Sequence, residues 1–350
     1  MMRKKLFDYV IGNPPYNENF ENSGDNGNYA KPVYNLFMDA SYQLADKVEL
    51  IHPARFLFNA GSTPKDWNQK MLNDSHFKVL KYEANSTNVF SNTDIKGGVA
   101  ISYRNVKANY SPIGTFTAFS QLNSILKKVK ALSTEFLNTI ISGRGVYKLS
   151  DKALTEHPEI INIQSKGHKK DVGAGAFKKL MNIVFFENIP DAQNKYVKFL
   201  GLKSGKRVFF WGRKDYQDVP KSFFKYKVFV PKANGSGALG EVLSTPLIGE
   251  PLIGATETFL SIGSFETALE AENCLKFIKG KFARVMLGVL KITQDNTKEK
   301  WRYVPLQDFT SNSDIDWSKS VHDIDLQLYK KYGLDEEEIH FIETHVKEMA

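Results

Sequence analysis

"FDYVIGNPPYNENF", residues 7–20, decides how the rest of the chain is read. The mostly apolar run Phe7–Gly12 has the composition of a buried strand. It passes straight into Asn13-Pro14-Pro15-Tyr16. Proline has no N–H and fixes φ, and the residue before a proline is driven to an extended shape. The result is a stiff corner at the end of a strand. It aims backbone carbonyls and the Asn13 side-chain oxygen in set directions. Two such acceptors suit an –NH2 group, and the Tyr16 ring can stack on the planar system that carries the nitrogen.

Outward from that corner the first hundred residues alternate strand and helix. After a Gly/Asn/Asp-rich loop, Tyr34, Phe37, Met38 and Tyr42 recur at helical spacing, which places a helix over about 33–45. "KVELIHP" (47–53), "FKVLKYEA" (77–84) and "GGVAISYRN" (97–105) read as further strands, with a helix over about 64–74. The pattern is α/β with buried strands. From about residue 110 the style changes. "QLNSILKKVKAL" is helical, and residues 140–260 are rich in glycine, lysine and aromatics with short strands such as "KRVFFWG" (206–212) and "YKVFVPK" (226–232). "SFETALEAENCLKFIKGKFARVMLGVL" (264–290) reads as one long amphipathic helix, with Ala268, Ala271, Leu275, Ile278, Phe282 and Val285 on its apolar face. The acidic "LDEEEIHFIETHVKEM" reads as a final helix with its acids at the dipole-favoured end.

Composition narrows the classes. The single cysteine, Cys274, excludes a disulfide framework or a cysteine-rich zinc site and fits a cytoplasmic home. The basic start "MMRKKLFDYVIG" is too short in its apolar part for a signal sequence, and no run approaches the ~18 apolar residues of a membrane span. The net charge of +8 is uneven. Residues 1–110 carry 13 Lys/Arg against 11 Asp/Glu, residues 111–305 carry 30 against 17, and residues 306–350 carry 4 against 11. A concentrated basic block of this kind suits a polyanionic partner.

Asn13-Pro14-Pro15-Tyr16 resembles the fourth motif of the N6-adenine DNA methyltransferases of bacterial restriction–modification systems, (N/D)-P-P-(Y/F/W) at the end of a strand. "YNLFMDASYQLADKVELIHPARFL" is similar to the helix–strand unit that follows the motif. "NVFSNTDIKGGVAISYRN" is similar to a later motif whose Phe packs against the flipped base, and Phe90 is the matching position. The stretches from "TETFLSIGSF" to "IDWSKS" and on through "DEEEIHFIE" resemble target-recognition and tail regions of these methylases. The middle loosely resembles type I specificity subunits. The resemblance implies methyl transfer from S-adenosylmethionine to the amine of an extruded adenine, without a metal. Asn13 and the Pro14 carbonyl would hold the amine, Pro15 would stiffen the corner, and Tyr16 and Phe90 would face the two sides of the ring. An exocyclic amine is a weak nucleophile because its lone pair is delocalised; holding both N–H bonds would localise that pair. The same motif serves glutamine-side-chain methyltransferases, but a protein substrate would not call for the basic middle.

The family binds its cofactor chiefly through strands that precede this motif, and only twelve residues precede it here. Downstream, Gly235, Gly237 and Gly240 in "NGSGALGEV" spell G-x-G-x-x-G, but "EVLSTPLIGEP" is broken by prolines where a helix should open, so a recognition-domain loop is the better reading; "GAGAF" (173–177) is weaker still. The cofactor-binding residues are therefore unassigned. A sheet lacking three strands would expose the edge of "FDYVIG", and bare apolar edges invite pairing. The expectation is a cofactor-binding partner chain, self-association through that edge, or a fragment of a longer protein.

Residues 166–232 carry 16 Lys/Arg against 5 acids, interleaved with aromatics. Lys169, Lys170, Lys206, Arg207, Arg213, Lys214, Lys225 and Lys227 are the candidates for contact with double-stranded DNA, Arg207 and Arg213 being best suited to bidentate base contacts. More than half of the aromatics are expected in the core. His52 reads as a packed histidine. The whole is expected to be a partial methyltransferase (Rossmann-like) sheet in residues 1–110, an α+β target-recognition domain in 111–305 and a helical tail in 306–350. Its function is that of a component of a site-specific adenine methyltransferase. The alternative is a non-catalytic DNA-binding or specificity subunit, or a truncated methylase that needs a partner for cofactor binding.

Overall fold

The computed structural model describes residues 5–18, 31–59, 61–91, 93, 95, 97–291 and 293–349. The middle of the loop expected after the motif, residues 19–30, and the basic residues 1–4 lie outside the described residues. The fold is mixed α/β and divides into two compact units, Met1–Asn123 and Ser124–Ala350. No helix among the described residues is long and apolar enough to cross a membrane.

In chain order the first unit comprises β1 (Phe7–Gly12), α1 (Tyr34–Leu44), β2 (Ala45–Pro53), α2 (Lys65–Leu72), β3 (Phe77–Glu83) and β4 (Val99–Asn105). The strands form one sheet in the order β1-β2-β4-β3. β1 runs parallel to β2, with Phe7 opposite Ala45 and Gly12 opposite Leu50. β4 runs antiparallel to both β2 and β3. Helix α1 passes directly into β2 at Ala45, and β2 pairs in parallel with β1. It buries Tyr34, Asn35 and Met38. On β2 the buried positions alternate: Val48, Leu50 and His52 point into a core with Met38, Phe56, Trp67, Met71 and Phe77, while Lys47 is exposed. His52 is fully buried, with Nε2 2.7 Å from the Ser102 hydroxyl and its ring stacked 6.2 Å from that of Tyr34, so it is a packing residue.

The sheet's other face is aromatic and polar. The Tyr9 hydroxyl donates to Glu49 at 2.7 Å, Tyr9 stacks 6.2 Å from Tyr103, and the Lys78 ammonium sits 4.6 Å from the centre of the Tyr110 ring. The strand composition of β1 reads as buried, and the structure corrects that reading. Leu6, Phe7, Tyr9 and Ile11 are exposed, Ile11 at 74 %. The cause is topological. Among the described residues β1 has a single neighbour, so neither the second flank nor the second face that a parallel strand normally buries is present.

The second unit opens with α3 (Ser120–Leu132), whose first residues belong to the first unit's range, and continues with β5 (Lys148–Leu149), α4 (Asp151–Glu156), α5 (Ile160–Ile163), α6 (Ala176–Lys179), β6 (Phe185–Phe186), β7 (Tyr196–Lys203), β8 (Lys206–Arg213), β9 (Gln217–Asp218), β10 (Tyr226–Pro231), β11 (Leu247–Gly249), β12 (Ile253–Ala255), β13 (Phe259–Phe265), α7 (Ala268–Lys279), α8 (Lys281–Gly288), α9 (Val321–Lys331) and α10 (Glu336–His345). The main sheets have the orders β12-β7-β8-β6 and β11-β10-β13, with β5 and β9 paired separately. Phe177, Phe185, Phe199, Phe223 and Phe229 fill one core.

The stretch 264–290 differs from the single helix read from its periodicity. Ser264 and Phe265 end β13, and the helical part is divided at Gly280 into α7 and α8. The buried Asp325 carboxylate caps the second piece, accepting from the amides of Lys281 (2.7 Å) and Phe282 (3.0 Å). The acidic α10 has the expected acids in its first turn and a capping box between Asp335 and Glu338. It is tied to the same unit by Lys128–Glu338 (2.6 Å) and Lys281–Glu343 (2.6 Å).

Candidate functional site

The Asn13–Tyr16 corner leaves the carboxyl end of β1, where ligands of open α/β sheets bind. Asn13 and Pro15 are exposed, and Pro14 and Tyr16 are half-buried. The Tyr16 carbonyl accepts from the Val33 amide at 3.0 Å, just before α1, and Asn17 bridges Pro32. The corner is thus pinned against the start of α1. Phe90 comes from the turn after β3 and lies against Tyr16, ring centroids 6.3 Å apart and planes at 71°. The Tyr16 hydroxyl is buried and has no hydrogen-bond partner, and burial pushes its pKa up to about 12. The site therefore offers a neutral phenol, an exposed amide side chain and two rings at one place.

The eight basic candidates divide by environment. Lys206 and Lys214 are exposed and form no ion pair among the described residues. Lys170 pairs with Asp151 at 2.6 Å and Lys225 with Glu266. Lys169 donates to the carbonyls of Gln164 (2.8 Å) and Ile161. The Arg207 guanidinium donates to the carbonyls of Ser244 and Thr245. Arg213 is held by Asp215 (2.7 Å) and Glu156 (3.1 Å) and lies over the Tyr216 ring. Lys227 is fully buried and donates to the carbonyls of Ser222, Phe223, Lys225 and Glu250; burial lowers its pKa to about 8. Of the interleaved aromatics, Phe199, Phe210, Tyr216, Phe223 and Phe229 are core, while Phe209 and Phe224 are exposed.

The glycine loop is occupied from within. Glu241 folds back so that its carboxylate accepts from the amides of Ser236 (2.8 Å) and Gly237 (3.0 Å), with the buried Lys291 as its counter-ion. Gly235 has φ +58, and a Cβ there would lie 2.1 Å from that carboxylate. This is an anion nest already filled by the protein's own anion. S-adenosylmethionine therefore has no fitting cradle in this loop, and no metal-ligand cluster occurs among the described residues.

An α/β unit with a prolyl-rich corner at the end of a parallel strand is the class that the geometry defines. Residues 1–90 match the Eco57I restriction-modification methylase family. A protein of Mycoplasma pneumoniae described as an uncharacterized adenine-specific methylase is 31 % identical over 94 residues, which are 27 % of this chain and 22 % of that protein. The chain thus aligns with about a fifth of that relative's length. The type IIG restriction endonuclease BpuSI superposes with a TM-score of 0.31 at 10 % identity, covering 85 % of this chain and 44 % of that one, a likeness too remote to bear on the fold. The resemblance of the N-terminal unit to restriction–modification adenine methylases, read from the corner, is upheld over residues 1–90.

Sequence reasoning passed over a cleft in the second unit whose lining includes Arg144, Tyr147, Lys232, Glu257 and Lys298. Apart from Arg144 and Tyr147, which are three positions apart, these residues are far apart in the chain, and they share no spacing signal.

Proposed function

We propose that this chain is the adenine-holding and DNA-binding component of an N6-adenine DNA methyltransferase. The observation that carries the reading is the pinned Asn13–Tyr16 corner at the carboxyl end of β1, with Phe90 against Tyr16. In this reading the Asn13 side chain and the Pro14 carbonyl accept the two N–H bonds of the adenine amine. Tyr16 and Phe90 pack against the extruded base. At 6.3 Å and 71° the two rings hold each other edge to face, so the incoming base rotates one of them or stacks on one face only. Residues of the second unit, led by Lys206 and Lys214, neutralise phosphates.

The methyl donor is bound outside the residues described. The open, apolar edge of β1 supports this, because it offers unpaired backbone to a further strand, with the exposed Tyr9 beside it. A cofactor-binding half docked there would complete a partial Rossmann-like sheet. Self-association through the same edge is the competing use of that surface.

The test is label transfer from tritiated S-adenosylmethionine to an adenine-containing duplex, with the chain alone and together with a cofactor-binding methylase half. Transfer to adenine N6 that is lost in Asn13→Ala supports the proposal. Duplex binding without transfer in any assembly supports the specificity-subunit reading.

A further inference from the structure

Arg55 stands two residues past the end of β2, at the head of a one-turn 3-10 helix, Arg55–Phe58. Because β2 runs parallel to β1, this is the same end of the sheet as the Asn13–Tyr16 corner. Phe56 and Leu57 are buried and anchor the turn, whereas Arg55 is exposed. Two glycines wall its aliphatic stem. At Gly97, φ +88, a Cβ would stand 2.5 Å from the Arg55 Cγ; at Gly61, φ +85, one would stand 3.2 Å from the Arg55 Cβ. Glycine supplies both that backbone shape and that close approach. The Ala54 amide donates to the Gly98 carbonyl at 3.0 Å and locks the two segments together.

The loop that holds Gly97 also carries Phe90. The Phe90 amide donates to the Ser86 carbonyl at 2.8 Å, and the Ser86 hydroxyl donates to the Thr93 carbonyl at 2.8 Å and accepts from the Ile95 amide at 2.7 Å. On its other side the Arg55 charge reaches the Tyr34 hydroxyl: burial raises that phenol to about 12, while Thr63 and Arg55 pull it down. Tyr34 follows Val33, whose amide pins Tyr16. Arg55 is thus tied on one side to the Phe90 loop and on the other to the start of α1. Arg104, the other described arginine of this unit, is held by Asp74 at 2.7 Å. The Arg55 guanidinium has no hydrogen bond or ion pair among the described residues. Glu83, at the carboxyl end of β3, is taken up by the Asn85 amide (3.0 Å) and the Asn88 side chain (3.2 Å). Walling a long side chain costs rotamer entropy, and no contact of the guanidinium offsets that cost in the resting protein. A fixed, unpaired guanidinium suits a phosphate, which its planar fork grips with two parallel hydrogen bonds.

We propose that Arg55 grips a phosphate of the nucleotide whose adenine enters the Asn13–Tyr16 corner. It would hold the extruded nucleotide by its backbone while the corner holds the base, and it belongs to the first unit, apart from the basic block of the second. The inference rests on the reading of the corner as adenine-holding, and it adds the residue that fixes the nucleotide's charged end.

The full chain is titrated calorimetrically with deoxyadenosine, with its 5′- and 3′-monophosphates, and with S-adenosylmethionine. The expected result is that one of the two monophosphates binds at least about tenfold tighter than deoxyadenosine, the two arms showing on which side of the sugar the phosphate is held. Arg55→Met keeps an unbranched stem between the glycines. It is expected to remove the tenfold difference while leaving deoxyadenosine affinity and the thermal midpoint unchanged, and Arg55→Lys is expected to restore part of the difference. Equal binding of the nucleoside and both monophosphates, or a difference that survives in Arg55→Met, overturns the role of Arg55. Binding of S-adenosylmethionine that is lost in Arg55→Met would assign the guanidinium to the cofactor's carboxylate and overturns it as well. Asn13→Ala separates this inference from the reading beneath it. If that variant loses deoxyadenosine while Arg55→Met changes nothing, the adenine-holding corner stands without Arg55; if no ligand binds in an Asn13-dependent way, the corner falls first and Arg55 with it.

Discussion

Tyr16 and Phe90 meet edge to face, 6.3 Å between ring centroids, and the Tyr16 hydroxyl beside that contact is buried without a hydrogen-bond partner. A buried hydroxyl with no partner adds nothing to stability and carries a desolvation cost. Tyr16→Phe is therefore expected to leave the thermal midpoint unchanged or slightly raised, whereas Tyr16→Ala, which also loses the ring contact, is expected to cost about 1–2 kcal/mol. In an assembly competent for label transfer, Tyr16→Ala should lower transfer by about a hundredfold or more. A marked drop in stability for Tyr16→Phe would mean that the hydroxyl is engaged in the resting protein.

The basic block calls for two opposite outcomes. Lys206 and Lys214 are exposed, so Lys206→Ala and Lys214→Ala should leave stability within about 0.5 kcal/mol and each reduce the salt dependence of duplex binding by about one counterion. Lys227 supplies donors to four backbone carbonyls from a buried position. Lys227→Met would leave those acceptors short of a donor and is expected to cost on the order of 2–4 kcal/mol in urea unfolding, with no specific change in salt slope. A salt-slope change for Lys227→Met in folded protein would contradict its placement.

These contrasts show where the sequence was readable. The corner Asn13–Tyr16 could be read because two prolines and a preceding strand constrain the backbone locally. The helix Tyr34–Leu44 and the strands Ala45–Pro53, Phe77–Glu83 and Val99–Asn105 follow side-chain periodicity closely. The exposure of Phe7, Tyr9 and Ile11 could not be read, because an apolar run reports how a strand is built and not which neighbours it has. The two-part helix at Gly280 was hidden for a related reason: the apolar face continues across the break, and the capping carboxylate comes from Asp325, far along the chain. Lysine counts likewise register charge without showing that Arg213 is held by Asp215 and Glu156, or that Glu241 fills the glycine nest.

The edge of β1 makes its own prediction. Ile11 is 74 % exposed on a strand whose other flank has no partner among the described residues. Placing a charge on such an edge is a standard block to pairing. Ile11→Lys is expected to leave the fold intact and to remove concentration-dependent association, or association with a cofactor-binding half, in sedimentation velocity. Association that survives this change would place the contact elsewhere.

Two buried groups give the units opposite responses to acid. Burial lowers the pKa of His52 from its ordinary 6.5 to about 4, with a partly opposing hydrogen bond to the Pro53 carbonyl. The unfolded chain then binds a proton more readily than the folded one, so the first unit should lose stability as pH falls from about 6.5 toward 4, by up to about 3 kcal/mol. Burial raises the pKa of Asp325 to about 6, opposed by the amides of Lys281 and Phe282 and by Arg284. Here the folded state holds its proton longer. The stability it contributes is complete below the ordinary carboxylate value of 3.8 and is lost as pH rises to about 6, by a similar amount. Trp67 reports the first unit, and Trp211, Trp301 and Trp317 report the second. Fluorine NMR of fluorotryptophan-labelled protein during urea unfolding should therefore show the Trp67 midpoint falling between pH 6.5 and 4 less steeply in His52→Gln than in wild type. The other three midpoints should lose their decline between pH 4 and 6 in Asp325→Asn. If both variants keep the wild-type pH profiles, other groups set the pH dependence, and the burial of His52 and Asp325 is not what the two units respond to.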